Sequence, residues 1–293
     1  MEMSSDETDY LEVVDSAAVD TSLIEGTHIE IIGDLPLRSA PVHALFDFDG
    51  TLSLIREGWP RVMIPQMVEV LRATGTDESE KELLSLVETF VMELNGKQTI
   101  YQMMRLAEEV ARRGGKPKEP LTYKQDYHLR LMEHIGSRRA ALRNGAAQAE
   151  YLVPGSLRIL ELLQARGVQL HLASGTDENF VIEEAKLLGL DRFFDDRIHG
   201  ALEDPRTFSK ALVIRKILEN TGIKSESLVG FGDGFVEIQN ILEAGGLAIA
   251  VASNEAERSG QPDAWKRARL IGAGAHMVIP DFQEADRLTE FLF

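Results

Sequence analysis

Two aspartates, Asp47 and Asp49, follow directly on the apolar run Ala44-Leu45-Phe46, and Gly50 and Thr51 break the strand after them. A carboxylate at the end of a buried strand is costly unless something pairs with it, and two so close together are costlier still. The stretch therefore reads as a site. Other segments carry groups that could join it. "HLASGT" ends in Ser174, Gly175 and Thr176, "FSKALVIRKIL" starts a helix with Lys210, and "VGFGDGFVE" supplies Asp233 with Glu237 four residues on. Carboxylates, a hydroxyl and an amine at strand ends suit the handling of an anion with the help of a cation.

The elements around these residues explain how they could meet. Short strands are expected at 27–33, 41–48, 168–174, 196–202, 227–233, 247–252 and 276–280. From 151 onward, helices alternate with the strands, which implies βαβ units and a parallel sheet covered on both faces. In such sheets ligands lie at the carboxyl ends of the strands. Between the aspartate-bearing strand and the rest of the sheet, residues 60 to 146 read as helices closed by Gly96, Gly114-Gly115 and Gly145. The expected fold class is α/β, a doubly wound, Rossmann-like parallel sheet with an inserted all-helical module. The expected organisation is an acidic, flexible N-terminus over 1–25, a core from 26–55 and 151–293, and the helical module over 56–150.

Composition narrows the function classes. The chain has 293 residues, no cysteine and a formal net charge of -17. Disulfides and thiolate chemistry are thereby excluded, and nucleic acid is not an expected partner, since phosphate neutralisation needs a basic surface. No apolar run approaches the ~20 residues of a membrane span, and the opening "MEMSSDETDY" lacks the pattern of a signal peptide. A cytoplasmic location is expected. Charge is uneven: residues 1–40 hold ten acids and one base, whereas 56–150 hold fifteen bases and fourteen acids. Solvated helix faces account for this, and so would a local attraction for an anionic substrate.

With "FDFDGT", the apolar strand ending at Ser174, Lys210 at a helix start and "GDGFVE" in order, the chain resembles the haloacid dehalogenase superfamily. It is most similar to members with a helical cap after the first motif, of the phosphoglycolate phosphatase and β-phosphoglucomutase type. The resemblance covers about residues 43–252. It implies that Asp47 is a nucleophile forming an aspartyl-phosphate and that Asp49 protonates the leaving oxygen and then deprotonates water. It casts Ser174 and Lys210 as further catalytic groups on the phosphoryl oxygens. Gly50, Thr51, Gly175 and Thr176 are implied phosphate contacts, and Arg56 a substrate contact from the linker bordering the pocket, with Glu57 and Arg61 as companions. An all-oxygen set of Asp47, the Asp49 carbonyl and Asp233, with Glu237 as a further candidate, suits Mg²⁺. Glu237 could instead orient Lys210 or simply favour its helix N-terminus. Lys216 and Lys186 are alternatives to Lys210. The implied function is a Mg²⁺-dependent phosphatase acting on a small phosphorylated metabolite, as a monomer or homodimer. A phosphomutase is the alternative, and a non-catalytic phospho-ligand-binding domain is a third reading. Cap residues that could set specificity include Lys97, Gln98, Arg105 and Lys124. Trp59 reads as a lid residue or as ordinary packing, and His171 as a strand residue near the core.

Overall fold

The computed structural model describes residues 19–36, 39–202, 207–222 and 224–293. In chain order the first elements are β1 (Thr21–Leu23), β2 (Glu30–Ile32) and β3 (His43–Phe46). Five helices follow: α1 (Pro60–Arg72), α2 (Glu80–Glu93), α3 (Thr99–Arg112), α4 (Pro120–His134) and α5 (Gly136–Arg143). The remainder alternates: α6 (Ser156–Ala165), β4 (Gln169–Asp177), α7 (Glu178–Leu187), α8 (Asp191–Phe194), β5 (Ile198–Ala201), α9 (Lys210–Thr221) and β6 (Leu228–Gly232). It closes with α10 (Phe235–Glu243), β7 (Leu247–Val251), α11 (Ala264–Gly272), β8 (Met277–Ile279) and α12 (Ala285–Leu292).

The strands form one sheet in the order β1-β2-β8-β7-β6-β3-β4-β5. From β8 to β5 every pairing is parallel. Strands β3, β4, β6 and β7 lie inside the sheet, and β3, β6 and β7 are buried along their whole length, as strands covered on both faces must be. One edge of the sheet differs from the rest. The β1–β2 pair is antiparallel, and β2 adds to β8 antiparallel, so the sheet is mixed at one edge. Strand β1 lies within the segment expected to be flexible; the N-terminal residues 1–18 lie outside the described residues. Short connections allow this hairpin, because antiparallel neighbours need no crossover helix.

Apolar side chains form a cluster on each face. One runs from the sheet through Phe46, Phe194 and Phe282 into the α1–α4 helices at Met63, Met67, Leu106 and Tyr127. The other lies beneath α9 and α10 around Leu45, Ala173 and Ile238. The five inserted helices thus share a continuous core with the sheet rather than standing clear of it. His171 is buried on β4, and its Nε2 lies 2.9 Å from His43 Nδ1. No helix among the described residues is long and apolar enough to cross a membrane.

Candidate active site

Strand β3 is separated from β8 by β7 and β6, and so sits at the centre of the parallel run with β4 on its other side. Its carboxyl end delivers Asp47, whose N–H donates to the Phe231 carbonyl of β6 at 2.9 Å. The chain then turns sharply. The Phe48 carbonyl accepts from the N–H groups of Leu52 and Ser53, each at 2.9 Å, and Gly50 has φ +77°. Glycine is required here on two counts. The conformation is left-handed, and a Cβ would run into the Asp233 carboxylate.

Three further elements bring their groups to the same place. At the start of α9 the Ser209 hydroxyl caps the helix by accepting from the Leu212 N–H at 3.1 Å, which puts Lys210 on the first turn. Lys210 is buried, and its Nζ donates to Asp47 Oδ1 at 2.6 Å. At the end of β4, Ser174 Oγ accepts from the Thr176 N–H at 3.1 Å, and Thr176 Oγ1 donates to Asp49 Oδ2 at 2.9 Å. Asp233 follows β6. One cleft is lined by Asp47, Asp49, Arg56, Ser174, Lys210 and Asp233, among others.

The electrostatics follow from this crowding. Burial raises the proton affinity of Asp47, Lys210 pulls it back, and the charge of Asp233 raises it again. Burial pushes Asp49 up to about 7; Arg56 opposes this, while Glu184 and Asp47 reinforce it. A carboxyl that titrates near neutrality can both give and take a proton at working pH. Asp49 Oδ1 is buried and has no hydrogen-bond partner among the described residues.

Several of the expected contacts already have partners within the protein. Thr51 is fully buried and does not line the cleft. Its N–H, at 3.3 Å from the Phe48 carbonyl, and that of Gly50, at 2.9 Å from the Ser53 carbonyl, are taken up inside the turn. They are not offered to a phosphate in this geometry. The Thr176 hydroxyl is committed to Asp49. Glu237 lies behind the cleft, buried, with its carboxylate paired to the Lys210 ammonium, so the geometry favours orientation of Lys210 over metal ligation. Arg56 lines the cleft, yet its guanidinium is held by Glu184.

Sequence reasoning missed a second cation. Lys266 lies on the first turn of α11, where Asp263 caps the helix by accepting the Lys266 N–H at 2.8 Å. Its ammonium donates to Asp233 Oδ2 at 2.8 Å, Glu255 Oε1 at 2.7 Å and Ser253 Oγ at 3.1 Å. Ser253 in turn donates to the Gly50 carbonyl at 2.6 Å. Burial works against the Lys266 charge, but Asp233 and Glu255 hold its proton more firmly than usual. Nothing local in "AWKRAR" marks this lysine over its basic neighbours; only the helix cap hints at where it points.

The inserted helices close over the cleft. The α2–α3 loop sets Gly96 against Gly234, where a Cβ on either would meet the other residue's backbone or Glu237. Gln98 Nε2 donates to the Phe208 carbonyl at 2.8 Å. Asn95, Lys97 and Gln102 line the cleft from this side, with Trp59, Met63 and Tyr127. Arg138 Nη1 donates to the Ile55 and Glu57 carbonyls at 2.8 and 2.7 Å, fastening α5 to the linker. Lys124 pairs with Asp177 beside a separate hollow, whereas Arg105 pairs with Glu109 on its own helix at 2.8 Å.

Comparison with known proteins agrees with this architecture. A 5'-nucleotidase from Pseudomonas aeruginosa is 26% identical over 222 residues, which covers 74% of this chain and 87% of that protein. Among solved structures, a predicted phosphoglycolate phosphatase from Haemophilus somnus superposes with a TM-score of 0.56 at 16% identity, covering 86% of this chain and 99% of that one. A β-phosphoglucomutase from Clostridium difficile gives 0.54 at 13%, covering 86% and 97%. At such identities the structural likenesses speak for the fold. The family model for haloacid dehalogenase-like hydrolases matches residues 43–245, from the first residue of β3 to just past the end of α10. The chain therefore belongs to the haloacid dehalogenase-like hydrolases.

Proposed function

We propose that the protein is a Mg²⁺-dependent phosphatase that hydrolyses a small phosphorylated metabolite through an aspartyl-phosphate on Asp47. The observation that carries this is the placement of Lys210 Nζ 2.6 Å from Asp47 Oδ1, with the Asp49 carboxyl lining the same cleft. An Asp47 oxygen attacks phosphorus as the ester P–O bond breaks, and Asp49 gives its proton to the leaving oxygen. Water then attacks the phosphorus of the aspartyl-phosphate, Asp49 takes a proton from it, and the bond to Asp47 breaks. Lys210 and the Ser174 hydroxyl face the phosphoryl oxygens as charge develops on them.

The donor set fits a hard divalent cation. Among the described residues no three carboxylate or imidazole side chains enclose a metal by themselves. Asp47 and Asp233 would hold the ion, with the Asp49 carbonyl and water completing an oxygen shell of the kind Mg²⁺ prefers. When bound, Mg²⁺ would offset the carboxylate cluster and draw charge from the phosphate. EDTA should abolish activity and Mg²⁺ restore it; full turnover in EDTA would end this reading of Asp233.

Lys266 makes the same site testable without activity. It neutralises Asp233 and Glu255 in the absence of a metal. Lys266→Met should cost about 3 kcal/mol of stability, since it strands two partly buried carboxylates. Mg²⁺ should then raise the melting temperature of the variant more than that of the parent. Equal Mg²⁺ shifts in both proteins would show that Asp233 does not meet the ion.

Residues 56–150 are read as a lid that chooses the substrate, because Asn95, Lys97, Gln102, Trp59 and Tyr127 reach the cleft from that side. The relative from Pseudomonas aeruginosa adds 5'-mononucleotides to phosphoglycolate and sugar phosphates as compounds to screen. Release of inorganic phosphate from one of these with Mg²⁺ present, and trapping of acid-stable phosphoprotein, is the decisive experiment. Transfer to a second hydroxyl of the same compound without phosphate release would indicate a mutase instead.

A further inference from the structure

Glu184 is fully buried on α7 and has no part in the steps above. It holds Arg56 in a fork: Nε to Oε2 and Nη2 to Oε1, both at 2.9 Å. The same Nε lies 3.8 Å from Asp49 Oδ1, beyond hydrogen-bond range. Asp49 is thus held at one oxygen only, by Thr176, while Oδ1 has no hydrogen-bond partner among the described residues. Buried Tyr127 also lines this corner.

A buried ion pair is a poor stability device, because apolar residues of similar volume often do as well or better. Its geometry here suggests another use. Two carboxylates lie within reach of one guanidinium, and only one of them has the bidentate fork that makes such pairs strong. We propose that Glu184 is a positioning residue that holds Arg56 back from Asp49, leaving the Asp49 carboxyl free to turn to the leaving oxygen. Without Glu184, the Arg56 fork would close on Asp49 and draw its carboxyl away from the leaving oxygen. The proposal rests on the phosphatase reading, in which the electron pair of the broken P–O bond stays on the leaving oxygen and Asp49 protonates it. A p-nitrophenolate leaves without that proton, whereas a phenolate depends on it more.

The test compares kcat/KM for p-nitrophenyl phosphate and phenyl phosphate, with Mg²⁺ present. Three proteins are needed: the parent, Glu184→Gln, and the double variant Arg56→Met/Glu184→Met. Glu184→Gln should lose ~10- to 100-fold on phenyl phosphate, a part of the ~10²- to 10⁴-fold that general acid catalysis contributes, and much less on p-nitrophenyl phosphate. The double variant leaves no buried charge unpaired and no guanidinium to capture Asp49, so it should regain most of the loss on phenyl phosphate. Equal losses on both esters in Glu184→Gln, or a double variant no better than the single, would overturn the proposal. If Glu184→Gln does not fold, the double variant decides: a phenyl to p-nitrophenyl ratio near that of the parent supports the proposal, and a collapsed ratio overturns it. A parent protein that hydrolyses neither ester would sink the phosphatase reading itself, which is a separate result.

Discussion

Asp47→Asn will abolish turnover and phosphoenzyme formation while leaving the fold intact. An amide is a poor nucleophile, and loss of an attacking group costs on the order of 10³-fold or more in kcat. The structure adds the expectation about stability. Asp47 is repelled by Asp233, so removing its charge relieves one unfavourable contact. Lys210 keeps Glu237 as a counter-charge. The buried amine is therefore not stranded, and the melting temperature should stay close to that of the parent. Rapid-quench trapping of phosphoprotein, with thermal melts of both proteins, checks the two halves together. Substantial turnover by a pure Asp47→Asn preparation would mean that water attacks phosphorus directly and that no covalent intermediate forms.

Lys210→Met should show the opposite pairing of effects, damaging both activity and stability. Lys210 is the shared cation of Asp47 and Glu237. Removing a preorganised charge from the phosphoryl oxygens costs on the order of 10²- to 10³-fold in kcat. Breaking a buried pair from one side costs about 3–5 kcal/mol, because the partners remain buried and charged. The two effects separate in the double variant Lys210→Met/Glu237→Gln. Its stability should recover, since one stranded carboxylate is gone, but its kcat should not. Recovery of both would reduce Lys210 to a structural ion pair. Denaturant unfolding and kcat measured on the same preparations decide it.

The route from residues to site was partly readable in the chain. The parallel core was readable because strands buried on both faces are written as continuous apolar runs such as "LAIAV" and "HALF". Their ends carry the reactive groups by the geometry of the sheet itself. Asp47, Asp49, Ser174 and Asp233 could be named for that reason and Lys210 from its place at a helix start, and all five line one cleft. The antiparallel edge was not readable. Strands of three residues carry too little pattern to show direction, which the β2–β8 pairing settles through contacts across most of the chain.

What the sequence determined by itself was therefore the set of strand ends and the order in which they occur, because both depend on local periodicity. What the tertiary structure decided was which charge answers which. Glu237 turns to Lys210 instead of lying open to a metal. Lys266 reaches Asp233 across 33 residues of sequence. Arg56, 128 residues from Glu184, is drawn to it and held short of Asp49. The physical reason is that a buried ion pair is chosen by distance and desolvation after packing. Neither quantity exists until the inserted helices and the sheet have closed on each other.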